Sequence, residues 1–300
     1  MPRRSTIARM QQAVVFALLA TVAVWVVWQG PQSPLAAIAG ALGIAFGYSF
    51  FLAVELLLLR LVGVGEGVPQ PTASQLIRAW WGETCMAARV FYWRQPFRWR
   101  AEPDFLDAAP GRRGLVFIHG FICNRGFWQP WLARTQGRAF VALNLEPAFG
   151  LIDDYAGLVE DAVAQVTQAS GMPPVLVCHS MGGLAARAWL RRFPDASRVH
   201  RIITIGSPHH GTWLGRFSHT PNGRQMRIDS EWLQELFRDE GGRSLPPFTC
   251  WYSHCDNIVF PTSSATLPHA DNRLVRGPAH VELAFVPEVM ERSLALADSP

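Results

Sequence analysis

The stretch Pro174-Val175-Leu176-Val177-Cys178-His179-Ser180-Met181-Gly182-Gly183 sets a hydroxyl between an apolar run and a helical pattern that continues Leu184-Ala185-Ala186-Arg187. A serine so placed occupies a tight strand-to-helix turn. The turn forces strained backbone angles on it, small neighbours at Cys178 and Gly182 let strand and helix approach, and the hydroxyl is left exposed above the sheet. Backbone N–H groups and the dipole at the helix start favour negative charge developing beside it. Such a hydroxyl still needs a base, and the base needs a carboxylate to hold its tautomer and stabilise the imidazolium. Downstream, carboxylates stand at Asp256, after the strand-like run Phe248 to Tyr252, and at Asp271, a turn position before Asn272 to Val275. Imidazoles stand at His269, in a Pro-containing loop, and at His280, in Gly277-Pro278-Ala279-His280-Val281-Glu282-Leu283.

These groups need a frame. From Gly114 onward, apolar runs at Leu115 to Ile118, Phe140 to Leu143, Val175 to Cys178 and Arg201 to Ile205 alternate with helical patterns around Asp154 to Ala169 and from Met181 to Arg192. Continuous apolar strands alternating with helices predict a parallel sheet covered on both faces, with chemistry at the carboxyl ends of its strands. Residues 212–247 interrupt this rhythm with an insert that carries its own helix signal. Ser230 can serve as N-cap, Glu231 complements the dipole and Gly241 can end the helix. Trp232, Leu233, Leu236 and Phe237 share one face, suited either to acyl chains or to packing on the domain.

Val116-Phe117-Ile118-His119-Gly120-Phe121 is a strand-like run ending in His-Gly. With the Ser180 turn it resembles the α/β-hydrolase superfamily, particularly bacterial triacylglycerol lipases and related esterases, over about Leu115 to Glu288. The resemblance implies an α/β fold, a mostly parallel sheet with helices on both faces, and catalytic groups in the chain order Ser, Asp, His. Ser180 is then the nucleophile. Ser253-His254-Cys255-Asp256-Asn257-Ile258-Val259-Phe260-Pro261 resembles the family's acid loop and selects Asp256 over Asp271; the segment beyond the final strand selects His280 over His269 as base. By position, the backbone N–H groups of Phe121 and Met181 would form the oxyanion hole, where losing one donor typically costs about 3 kcal/mol of barrier. His119 becomes a structural loop former. The family's elbow usually begins with Gly, and Cys178 in its place implies a slightly splayed turn. Asn144-Leu145-Glu146-Pro147 and Ile152-Asp153-Asp154-Tyr155 resemble the approach to the helix before the elbow, and Ser207-Pro208-His209-His210-Gly211-Thr212 the loop after the next strand. Neither supplies a catalytic group. His209 and His210 lack a third ligand at convincing spacing, and Glu282 lacks the companions of a calcium site, so no metal and no cofactor is expected.

Ahead of the hydrolase-like region, residues 11–64 hold only two charged side chains, Glu55 and Arg60. Ala13 to Trp28 is an uncharged apolar run near the lower end of the ~17 to 25 residues that span a bilayer. After the turn-like Gly30-Pro31-Gln32-Ser33-Pro34, a second run extends from Leu35 to Leu59, broken only by Glu55. Two membrane-spanning helices are therefore expected, about 13–28 and 35–59, inside an anchor of residues 1–64. Arg3, Arg4 and Arg9 precede the first and Arg60, Arg78, Arg89 and Arg94 follow the second, which puts both ends, and the catalytic domain, on the cytoplasmic side of a bacterial-type inner membrane. A signal peptide ending near Ala37-Ile38-Ala39 is the plainer alternative for the first run. Residues 65–75 read as a linker. Trp80, Trp81, Phe91, Tyr92, Trp93, Phe97 and Trp99, interleaved with Arg, suit the headgroup region or, equally, the first strands of the body. The hydrolase-like domain then covers 101–300.

Hydrophobic residues make up 49% of the 300, enough for a sizeable core. Net charge is +4, and all 27 basic residues are Arg. They are diffuse, with neither a basic stripe nor an RNA-binding aromatic pattern, so no nucleic-acid partner is expected. Five cysteines without CxxC spacing give no disulfide framework. Transport fails on the number of spans. The reading that remains is hydrolysis of a carboxylic ester, with an ester or lipid substrate and the bilayer as partners. Acyl transfer or thioester cleavage would use the same residues. A silent membrane-held binding protein on the same fold is the alternative of another class.

Overall fold

Short runs rich in β-branched and aromatic residues form most strands of one sheet. The structure, a computed structural model, describes residues 4–63, 68–108, 111–135 and 137–299. Its strands are β1 (Leu115–Ile118), β2 (Phe140–Ala142), β3 (Val175–His179), β4 (Arg201–Ile205), β5 (Phe248–Ser253) and β6 (Asp271–Val275). All neighbours pair in parallel, in the order β2-β1-β3-β4-β5-β6. The four runs expected from Gly114 onward and the two that follow the insert are all strands, with ends moved by a residue. Asp271 opens β6 rather than standing in a turn before it.

The chain leaves β1 toward one edge and returns to build β3 on the other side, so the order reverses between β1 and β3. A crevice opens at the carboxyl ends of strands flanking such a switch point, where α/β sheets bind ligands. Ser180 follows β3 and His119 follows β1.

Side chains alternate along each strand, and β1 shows the consequence. Val116 and Ile118 join one buried cluster while Leu115 and Phe117 join the other.

Before the sheet lie α1 (Thr6–Gln29), α2 (Pro34–Phe46), α3 (Tyr48–Val62) and α4 (Ala73–Ala87). The last runs through a π-helical segment, Ala88–Arg94, into the short α5 (Gln95–Phe97). Within the body come α6 (Gln129–Leu132), α7 (Ala156–Ser170) and α8 (Met181–Arg192), then α9 (Pro221–Gln225) and α10 (Glu231–Glu240) of the insert, and finally α11 (His280–Leu283) and α12 (Pro287–Leu296). Helices α7, α8 and α10 cover the first cluster, while Trp128, Trp131, Val289 and Met290 fill the second.

The front of the chain departs from expectation in two places. α1 is the one described helix long and apolar enough to cross a membrane; the second expected span is two helices, α2 and α3, bent by 52°. The bend falls at Gly47, where a Cβ would lie 2.9 Å from the Gly43 carbonyl oxygen. Glycine's weak helix propensity and missing side chain favour a break there. The expected linker at 65–75 lies partly outside the described residues. Its C-terminal end is helix: Thr72 and Gln75 form a reciprocal capping box that starts α4.

The aromatic and Arg-rich segment that follows forms no strand. Trp80 donates its indole N–H to the Ser49 carbonyl at 2.7 Å, while Trp81 and Trp93 are exposed. Leu56 and Leu59 of α3 pack with Ala79 of α4 against Cys255, Phe260 and Ala279 of the body.

Candidate active site

Ser180 stands between β3 and α8 with φ 53° and ψ −126°, a conformation L residues rarely adopt. Holding a non-glycine residue there costs about 1–3 kcal/mol, which the surrounding structure must over-determine. Three contacts do so. The Ser180 N–H donates to the Ile205 carbonyl at 2.9 Å. A Cβ on Gly182 would lie 2.3 Å from the Ile118 oxygen, and one on Gly183 2.3 Å from the Ser207 Oγ. Cys178 is fully buried and keeps register with both Ile118 and Thr204, so β3 stays regular up to the turn.

Asp256 sits in the turn after β5, where its Oδ1 accepts the N–H groups of Ile258 at 3.0 Å and Val259 at 2.8 Å. Both of its carboxylate oxygens lie 2.9 Å from the His280 Nδ1. That contact puts the neutral imidazole's proton on Nδ1 and leaves Nε2 as the acceptor. Burial by itself lowers the His280 pKa, but Asp256, Glu83 and Glu55 together outweigh it and raise it above the usual 6.5. Gly206, just after β4, lies against the Asp256–His280 pair. A Cβ there would meet the Asp256 Oδ2 at 2.9 Å and the His280 Nδ1 at 3.2 Å, beside the Ile205 carbonyl that holds Ser180.

The third wall is the loop after β1. Gly120 lies against Ser180 so closely that a Cβ would be 2.7 Å from the Ser180 Cβ. Phe121 follows it and Met181 opens α8, so the two expected oxyanion positions flank Ser180 from different elements. His119 accepts the Leu145 N–H on Nε2 at 3.0 Å, and its Nδ1 lies 2.9 Å from the Gly120 oxygen. Burial lowers its pKa to about 4, so it stays neutral and ties the β1 loop to the β2 loop as a structural residue.

A cavity of about 200 Å³ opens at Ser180, lined by Phe121, Pro208, Leu214, Met226 and Val259 among others. The first half of the insert supplies its roof. The second half is fixed to the body: Ser230 caps α10, Leu233 and Leu236 are buried in the first core cluster, and Arg187 grips Glu240 through two hydrogen bonds of 2.8 and 2.7 Å. The apolar face of α10 therefore packs on the domain.

His209 is buried, with Nε2 3.0 Å from the Thr204 hydroxyl, and His210 stacks on Phe237. Asp271 pairs with Arg273 on the exposed start of β6, and His269 is exposed. None of the four lines the Ser180 cavity or meets the Asp256–His280 pair.

Sequence reasoning passed over four residues that the structure brings to this site. His179 stacks on Phe127 at 4.3 Å and sits 4.6 Å from the His280 ring, centroid to centroid. Asn257 accepts the His280 N–H at 3.1 Å and donates to Glu55 of α3 at 2.6 Å. Glu83 of α4 accepts the N–H groups of Val281 and Glu282 at 2.9 Å each. A signal existed for the two acids: Glu55 is the only carboxylate in the long apolar run, and Glu83 the only one between Leu76 and Arg100. Isolated carboxylates in such surroundings are rarely left without partners.

A profile of the alpha/beta hydrolase family matches residues 115–295. Among curated proteins, the probable esterase PIR7A of Oryza sativa subsp. indica is 30% identical over 116 residues, 35% of this chain and 43% of that protein. Its counterpart in subsp. japonica matches equally. The matched stretch thus spans less than half of these relatives. Among solved structures, a mature lipase of Bacillus licheniformis superposes with TM-score 0.56 at 16% identity, over 64% of this chain and 96% of that one. Aspergillus fumigatus lipase B gives 0.57 at 20%, over 67% and 57%. At such identities the likeness is one of fold. The strand order, the turn at Ser180 and the match across residues 115–295 lead to one conclusion: this chain belongs to the alpha/beta hydrolase family.

Proposed function

We propose that this chain is a membrane-held serine hydrolase that cleaves carboxylic esters of lipid type. The observation that carries the reading is the His280 Nδ1 set 2.9 Å from both Asp256 oxygens, in a chain whose Ser180 turns at positive φ at the end of β3. His280 Nε2 takes the Ser180 proton as Oγ attacks the ester carbonyl. The tetrahedral oxyanion is held by the Phe121 and Met181 N–H groups. His280 then returns the proton to the departing alcohol, leaving an acyl-enzyme. Water, deprotonated by the same imidazole, attacks that carbonyl and releases the acid and free Ser180.

Two features support a lipid-like ester. The exposed side chains of α1 to α3 include Val14, Phe16, Leu19, Val24, Ile38, Leu42 and Phe50, a band suited to hydrocarbon. Leu214, which lines the Ser180 cavity, also packs against the cluster through which α3 and α4 meet the body. On this reading residues 1–64 form the anchor, with α1 as one span and the bent α2–α3 pair as a second, 65–100 connect it, and 101–300 form the catalytic domain. The Arg residues at both ends put that domain in the cytoplasm.

Fluorophosphonate labelling of the full chain and of Ser180→Ala, followed by a series of esters of increasing acyl length, tests the proposal. The chain should label, the variant should not, and long acyl chains should be favoured. A folded chain that resists the reagent would favour a silent binding protein, and a short-chain preference would remove the lipid assignment. A reporter fused after Pro300 that is active only outside the cytoplasm should stay dark.

A further inference from the structure

The first turn of α11, which begins with His280, has no side-chain cap of its own: Ala279 occupies the capping position. Its backbone donors are satisfied from elsewhere. The His280 N–H goes to the Asn257 Oδ1 at 3.1 Å, Leu283 bonds back to the Ala279 carbonyl, and both N–H groups in between are taken by Glu83. Glu83 is 2% exposed and also has its second oxygen 3.1 Å from the Val281 N–H. It comes from α4, nearly two hundred residues upstream and outside the family-matched stretch. A carboxylate is costly to bury unless hydrogen bonds hold it, and the donors here are those of the turn that presents the imidazole.

We propose that Glu83 is a positioning residue for His280: it holds the base-bearing turn from the N-terminal helices and adds negative charge beside the imidazole. The proposal rests on the hydrolase reading of Ser180, Asp256 and His280. Glu55 acts in parallel through Asn257, so both acids of the N-terminal helices that approach the site reach the same turn, one from α3 and one from α4. The groups facing His280 are Asp256, Glu83, Glu55 and His179. Those acting on Glu83 are the backbone of Val281 and Glu282 and the charges of His280 and Asp256, and Tyr48 lies close enough to feel Glu83 in turn. Burial pushes the Glu83 pKa up to about 7, so above neutral pH it is largely ionised and favours the imidazolium. Removing that charge lowers the His280 pKa, and the rise of kcat/KM with pH should then begin at lower pH.

The test uses the full chain in lipid nanodiscs, with Glu83→Gln, Glu83→Asp and Glu83→Ala. Fluorophosphonate titration counts competent sites, and rates are expressed per labelled site, which separates misfolding from mispositioning. Glu83→Ala should lower kcat by about 10- to 100-fold with KM within about twofold, as expected when a group acting only on transition-state geometry is lost. In Glu83→Gln and Glu83→Ala the acid limb should move down by about half a pH unit or more, while Glu83→Asp should keep the limb near that of the unmodified chain. The proposal is overturned if all three variants keep kcat and the acid limb per labelled site, or if their losses vanish on correction for labelled sites. NMR titration of the His280 imidazole, identified by its absence in His280→Gln, separates this from the hydrolase reading. A downward shift in Glu83→Gln would hold even in a chain that cleaves no ester, whereas an unchanged imidazole would end the positioning role alone.

Discussion

The two halves of the site are built differently. The Ser180 side is local: β3, the turn and α8 are contiguous, and the β1 loop packs against them through Gly120. The His280 side is assembled at long range. The Asp256 loop and the His280 turn are steadied by Glu55 and Glu83, which lie outside the family-matched residues 115–295. The contrast teaches that one family fold can keep the Ser180 turn in a short motif while the His280 turn is held by whatever the chain packs alongside. Here that is the helical region that also carries the apolar helix α1.

Substitutions that separate the halves should differ in size and kind. Ser180→Ala removes the attacking atom and should lower ester hydrolysis by about 10⁵- to 10⁶-fold with the fold intact. Steady-state kinetics beside circular dichroism would show it. Asp256→Asn leaves the geometry but presents the wrong tautomer, with an expected loss of about 10⁴-fold in kcat. A loss under tenfold there would mean that Asp256 is not the partner of the base.

Gly120→Ala places a methyl group 2.7 Å from the Ser180 Cβ and should lower kcat/KM by about 100-fold per folded molecule, with a stability loss of about 1–3 kcal/mol from the forced shift. Away from the site, Arg187→Met should leave the rate per folded molecule unchanged. It should nevertheless cost about 3–5 kcal/mol of stability, because Glu240 keeps a nearly buried charge without its partner. Chemical denaturation would measure it.

The smallest expected effect is the pH profile of the unmodified chain. Because His280 must be neutral to accept the proton and its pKa is raised, kcat/KM should already be falling above pH 6.5 as the medium is acidified. A limb below 6.5 would show that the carboxylates do not outweigh burial.

The same contrast explains what the sequence made legible. The sheet follows from apolar runs whose period and length admit little else, and the Ser180 turn from residue types that only such a turn requires. Asp256 and His280 rested on resemblance to a family, and the structure brings the two into contact. The break at Gly47 hid inside a run that stays uncharged from Leu35 to Val54, where composition resembles that of one straight helix. Glu83 and Asn257 were missed because a hydrogen bond between residues far apart in the chain leaves no periodicity. The packing of α10 was left undecided, since an amphipathic face records that it is covered and not by what; Leu233, Leu236 and the Arg187–Glu240 pair answer it.

The most direct test of the central claim is to trap the acyl-enzyme. The full chain is mixed with an activated long-chain ester, quenched within the first turnover, digested and weighed by mass spectrometry. One acyl group on the peptide that carries Ser180, absent from Ser180→Ala and slow to appear in Asp256→Asn, is the predicted result. Acylation of another residue, or hydrolysis continuing undiminished in Ser180→Ala, would contradict it.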